Sequence, residues 1–121
     1  MTQATEPNTA SGFGLTAATI ECINDVLASF SAIEQAILYG SRAKGNYRPG
    51  SDIDLAIVGP EVTEQQMLQL TNKLDDLPLP YTFDLALLEA IRDAALIEHI
   101  KRVGIVFYQS TKRTAPKGAP Q

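Results

Sequence analysis

The sequence predicts an α/β (α+β) domain, with helices packed in two layers on a small mixed sheet. Three observations carry this expectation. Apolar residues recur at helical spacing in three segments and condense into short strand-length runs in four others, and the two kinds alternate along the chain. Glycine or proline punctuates the connections, at Gly40, Gly59-Pro60, Pro78, Pro80 and Gly104. The length of 121 residues, 45% of them apolar and 20% charged, suffices for one domain with a core and is too short for two ordinary ones.

Each element follows from its local residues. Thr16 is placed to N-cap a helix reaching about Phe30, whose Ile20, Ile23, Val26, Leu27 and Phe30 share one face. Ala32 to Tyr39 ends in the apolar run Ala36-Ile37-Leu38-Tyr39, a short buried strand stopped by Gly40. Asp52 to Val58 reads as a second strand, closed by Gly59-Pro60. Thr63 opens a helix to about Leu74, with acidic and polar residues between Glu61 and Gln66 in its first turn. Pro78 and Pro80 lead into a third strand, Tyr81 to Leu87. Glu89 to Arg102 is helical in pattern through Ile91, Ala94, Ala95, Ile97 and Ile100, with Gly104 as its stop. Ile105 to Tyr108 is a last short strand.

The ends differ from the middle. Residues 1–14 are rich in Thr, Asn, Ser and Gly, and residues 110–121 (STKRTAPKGAPQ) carry three basic groups and no acid. Neither can bury enough apolar surface to offset its ordering entropy, so both are expected to be flexible arms around a domain at 15–109. That domain holds seven basic and thirteen acidic residues, and the whole chain has a net charge of −4. Such a surface repels nucleic acid and anionic membrane. No apolar run approaches the ~20 residues of a membrane span, and no basic-then-apolar leader opens the sequence. The single cysteine, Cys22, has no internal disulfide partner. The expectation is a cytoplasmic protein with no direct nucleic-acid or membrane contact. Cys22 itself is expected to be half-buried packing, and His99 a surface or capping residue.

The chemistry concentrates in Leu38 to Val58, LYGSRAKGNYRPGSDIDLAIV. Gly40 permits a close turn, and Ser41 presents a hydroxyl and backbone amides where a short helix can begin, an arrangement suited to an anionic oxygen. Arg42, Lys44 and Arg48 are three of the domain's seven basic residues, within seven positions. Phosphate binding and a solvated loop that balances nearby aspartates account for them equally. Strand alternation points Asp52 and Asp54 the same way and Ile53 into the core. Two such carboxylates repel unless a cation lies between them. Hard divalent ions take oxygen ligands and complete their shells with water and phosphates. Asp84, among apolar residues of the third strand, joins the pair if the two strands are neighbours.

Gly40-Ser41, ten residues, Asp52-x-Asp54 and a later strand acid at Asp84 resemble the nucleotidyltransferase fold of the DNA polymerase β superfamily. The string GSRAKGNYRPGSDIDLAI is similar to the minimal nucleotidyltransferase (MNT) proteins of prokaryotes, often antitoxins paired with a HEPN-domain ribonuclease toxin. The resemblance covers roughly residues 16–108. It implies that Asp52, Asp54 and Asp84 are catalytic and hold two Mg²⁺ ions, with Asp84 on the acceptor side helping to deprotonate the attacking hydroxyl. It implies that Gly40, Ser41 and Arg42 bind the triphosphate of ATP, with Lys44 as a further cation. The implied function is transfer of AMP to a hydroxyl, a tyrosine, of a HEPN toxin, which is thereby neutralised. Two other functions stay open: a non-catalytic antitoxin that acts by binding alone, and a small-molecule nucleotidyltransferase of the aminoglycoside-modifying type. An intact set of three acids favours transfer, since a pure binder has no physical need of them.

Overall fold

The Thr16 hydroxyl accepts a hydrogen bond from the Thr19 amide at 3.1 Å and starts helix α1 (Ala17–Ala28). The computed structural model describes residues 13–110 apart from residue 49. Of the arms expected at 1–14 and 110–121, residues 1–12 and 111–121 lie outside the described residues. After α1 the order is β1 (Gln35–Tyr39), α2 (Ser41–Lys44), β2 (Ile53–Val58), α3 (Glu64–Asp75), β3 (Phe83–Leu87), a 3₁₀ turn (Leu88–Ala90), α4 (Ala94–Val103) and β4 (Ile105–Gln109). Helix α3 begins with a capping box: Thr63 Oγ1 accepts from the Gln66 amide at 3.1 Å, and Gln66 Oε1 accepts from the Thr63 amide at 3.0 Å. Such a cap contributes about 1 kcal/mol.

The four strands form one mixed sheet in the order β3-β2-β1-β4. β1 runs antiparallel to both β2 and β4, and β2 runs parallel to β3. Alternation sorts the side chains of β2. Ile53, Leu55 and Ile57 enter the core with Ile23 and Leu27 of α1 and Leu70 and Leu74 of α3, while Ala56 turns to the other face. There it packs with Tyr39 and Ile100, so α4 covers the second face. The expected two layers are therefore three. The reason is that Ile37, Tyr39 and Ala56 make the second face apolar as well, and an apolar face needs a cover.

Four local differences have plain causes. The helix expected from Glu89 to Arg102 is divided, because the Asp93 carboxylate accepts from the Ala95 and Leu96 amides at 3.0 and 3.4 Å and begins α4 after it. Gly104 ends α4 with an ordinary extended backbone (φ −63°, ψ 142°). It must be glycine for space, since a Cβ there would strike Ile100 O and come within 2.7 Å of Ile37 Cγ2. Cys22 is exposed, not half-buried, because it precedes Ile23, the residue that α1 turns into the core. Phe13, Gly14 and Ser110, placed with the arms by composition, belong to the described fold, where Phe13 packs on Phe107 and the Ser110 amide bonds Glu34 O at 2.9 Å. No helix among the described residues is long and apolar enough to cross a membrane.

Candidate active site

Strand register builds the centre of the site. Tyr39 of β1 lies opposite Asp54 of β2, and Asp54 lies opposite Asp84 of β3. The neighbouring-strand condition left open by the sequence is met, with the Ile53 amide bonded to Thr82 O at 2.9 Å. Asp52, just before β2, is exposed and two positions from the half-buried Asp54, hence on the same side. The carboxyl of Asp54 is pushed up to about 6, first by burial, then by the charges of Asp84 and Asp52, with Arg42 acting in the opposite direction. The Tyr39 phenol is pushed up to about 12 by burial and by the same two carboxylates, Asp84 and Asp54. Negative charge is thus concentrated at one end of the sheet.

That concentration suits a divalent cation, because a hard ion would relieve the carboxylate repulsion that adds to burial in raising Asp54. Among the described residues there is no group of three or more His, Cys, Asp or Glu side chains that could hold a metal ion by themselves. An open donor set is what a Mg²⁺ ion needs when water and substrate phosphates supply its remaining ligands. Asp54 and Asp84, paired in register, and Asp52 beside them are the residues that could contribute carboxylates to such an ion.

Beside the acids the chain turns sharply. Gly40 has φ 78° and ψ −157°, a conformation that side chains disfavour, and it packs directly on the Asp54 carboxylate. A Cβ here would collide with Asp54 Oδ2 and lie 3.2 Å from Cγ. Gly40 also starts α2: the Lys44 amide bonds Gly40 O at 3.1 Å, and the Gly45 amide bonds Ser41 O at 2.9 Å. The first amides of this turn have no acceptor within the helix. Gly40→Ala is expected to lower catalysis by about a hundredfold or more, by displacing Asp54 from the turn. Steady-state kinetics checks this, and a melting temperature lowered at the same time would report the strained φ.

Arg42, expected at the phosphates, is only 2% exposed. Its Nε and Nη2 donate to Ser51 O at 3.2 and 2.8 Å, and its Nη1 donates to Phe13 O at 2.7 Å. The guanidinium also lies over the rings of Tyr47 and Tyr81, at 5.2 and 5.0 Å. It therefore ties the segment before α1 to the loop that carries Asp52. Lys44 and Arg48 are exposed.

One residue at the site was missed by the sequence reading. The Gly40 amide donates to His99 Nε2 at 3.3 Å, and the His99 ring meets the Tyr39 ring edge-on with centroids 6.2 Å apart. Fifty-nine residues separate His99 from Gly40, so no local pattern announces the contact. An apolar cavity of about 330 Å³ between α4 and the β1–β4 edge, lined by Ile37, Ile97, Ile100 and Val106 among others, contains none of these carboxylates.

A row of acids on adjacent strands beside a glycine turn is an arrangement suited to metal-assisted phosphoryl transfer. The sequence places it in a known group. The chain belongs to the family described as "Polymerase beta, Nucleotidyltransferase", whose profile matches residues 21–113. No curated protein matches the sequence. Among solved structures the fold resembles a toxin–antitoxin with AMP-PNP, at 21% identity and TM-score 0.63 over 77% of this chain and 75% of the other. It also resembles the complex of a tri-AMPylated HEPN toxin of Shewanella oneidensis with its MNT antitoxin (18% identity, TM-score 0.59, 79% and 74% covered). A nucleotidyltransferase-like protein of Sulfolobus solfataricus is similar at 19% identity and TM-score 0.51 over 79% and 81%. These likenesses bear out the nucleotidyltransferase fold expected from the Gly40-to-Asp54 motif.

Proposed function

We propose that this protein is an antitoxin-type adenylyltransferase of the cytoplasm, which transfers AMP from ATP to a tyrosine hydroxyl of a cognate HEPN ribonuclease toxin and so neutralises it. The observation that carries the proposal is the register that sets Asp54 opposite Asp84, next to the Gly40 turn, in a member of the nucleotidyltransferase family. The two similar complexes described above, one with AMP-PNP and one with an AMPylated HEPN toxin, support the choice of nucleotide and partner.

Asp52 and Asp54 would hold the Mg²⁺ ions, with Asp84 as the third ligand. The chemistry that bound Mg²⁺ supplies is neutralisation of charge between these carboxylates and the phosphate oxygens. The turn that Gly40 opens binds the triphosphate through the Ser41 amide and hydroxyl, the Gly40 amide being held by His99. Arg42 acts on the phosphates only at a distance, because its guanidinium is engaged with main-chain carbonyls. Asp84, exposed on the edge strand, takes the proton of the attacking hydroxyl. The acceptor oxygen then bonds the α-phosphorus as the bond to the bridging oxygen breaks, and pyrophosphate leaves with the electron pair.

The test uses the purified chain, a candidate HEPN-domain ribonuclease, Mg²⁺ and ATP labelled at the α-phosphate. Label on a tyrosine of the HEPN protein, with loss of its ribonuclease activity, is the expected result. Full neutralisation of the toxin without any label would overturn catalysis and leave binding alone as the function.

A further inference from the structure

We propose that His99 is a positioning residue of this site: its neutral Nε2 holds the Gly40 amide and so fixes the glycine turn against Asp54. The inference rests on the nucleotidyltransferase reading and extends it to a residue of α4. A backbone amide at a half-buried turn needs an acceptor, and imidazole accepts only through an unprotonated nitrogen. The 3.3 Å contact therefore assigns the ring proton to Nδ1.

His99 is not placed by its own rotamer alone. Its neighbour Ile100 is buried against Tyr39 and Ala56, and its ring meets that of Tyr39 at an interplanar angle of 83°. α4 and β1 thus form the frame that holds the imidazole. Gly40 needs such a frame, because glycine adopts positive and negative φ about equally and has no side chain to select one. Its carbonyl is held by the Lys44 amide, on the α2 side. His99 holds the other side, through the peptide that joins Tyr39 to Gly40. With both sides held, the amides and hydroxyl that follow keep one direction relative to Asp54.

Removing the acceptor with His99→Leu is expected to raise KM for ATP, and the Kd for AMP-PNP with Mg²⁺, roughly tenfold, with kcat changed much less. His99→Gln, whose Oε1 can take the place of Nε2, restores most of the affinity. ¹⁵N spectra of the wild-type chain should show Nε2 unprotonated and the Gly40 amide proton shifted by its hydrogen bond, a shift lost in His99→Leu and kept in His99→Gln. A protonated Nε2 in the neutral wild-type ring would overturn the proposal without any variant. So would unchanged AMP-PNP affinity in His99→Leu, or a Gln variant as impaired as the Leu variant. If the wild type neither binds AMP-PNP nor transfers label, the nucleotidyltransferase reading fails and takes the positioning role with it. The nitrogen spectra then still decide separately whether His99 holds Gly40.

Discussion

Asp54→Asn is expected to abolish nucleotidyl transfer and, at the same time, to stabilise the metal-free protein at neutral pH. The loss of transfer follows from the role proposed for Asp54. Metal-assisted charge stabilisation is worth several kcal/mol, so the rate should fall by about a thousandfold or more. The gain in stability follows from its surroundings. The carboxyl is raised from 3.8 to about 6, first by burial and then by Asp84 and Asp52. The folded chain therefore binds this proton more tightly than the unfolded chain does, and the ionised group costs stability. That cost is absent below about pH 4, grows between pH 4 and 6, and is constant above. Because the group is partly open to water, about 1 kcal/mol is expected rather than the full linkage value. Thermal melts with a chelator should place Asp54→Asn several degrees above wild type at pH 7.5, with the two converging near pH 4. Mg²⁺ should then raise the wild-type melting temperature and leave the variant unmoved. A variant no more stable than wild type at pH 7.5 would falsify the electrostatic account of the acid row.

Arg42→Met is expected to be among the most destabilising single changes in the chain. The side chain is buried, and its removal leaves Ser51 O and Phe13 O without the donors they now have. Leaving two carbonyls without donors costs about 1–3 kcal/mol each. Together that is a large share of the roughly 5–15 kcal/mol that holds a typical domain folded. Arg42→Lys should rescue little, since one ammonium cannot reproduce the planar fork that reaches both carbonyls and lies over Tyr47 and Tyr81. Urea unfolding measures the loss. A variant with a wild-type urea midpoint and a raised KM for ATP would instead place Arg42 on the phosphates.

Arg42 and Asp54 differ in the range of the contacts that place them. Both sit in the same motif and both look polar and exposed in one dimension. The alternation of β2 made Asp54 legible, because Ile53 and Leu55 had to enter the core and Asp54 had to face away. Arg42 had no such constraint. Its partners, Phe13 and Ser51, lie 29 and 9 residues away, and only the folded loop brings their carbonyls to one guanidinium. His99 was missed for the same reason. A helix pattern reports which face is apolar, not that one polar ring on it reaches a backbone amide on another element.

Apolar spacing from Ile91 to Ile100 suggested one helix, yet the Asp93 carboxylate competes for the first amides and divides it. The caps at Thr16 and Thr63, by contrast, were read correctly, because a cap acts within three residues of itself.

What the sequence determined by itself is the set of local interactions: the helix caps, the alternation that puts Asp52 and Asp54 on one side, the glycine turn and the family motif. The tertiary structure decided which strands are neighbours, and through the parallel register of β2 and β3 it set Asp54 opposite Asp84. It also enclosed Arg42 and brought His99 to Gly40. The physical reason is range. Periodicity and capping act over a few residues, whereas the site is assembled by contacts across the sheet, whose partners are chosen by the packing of the whole core.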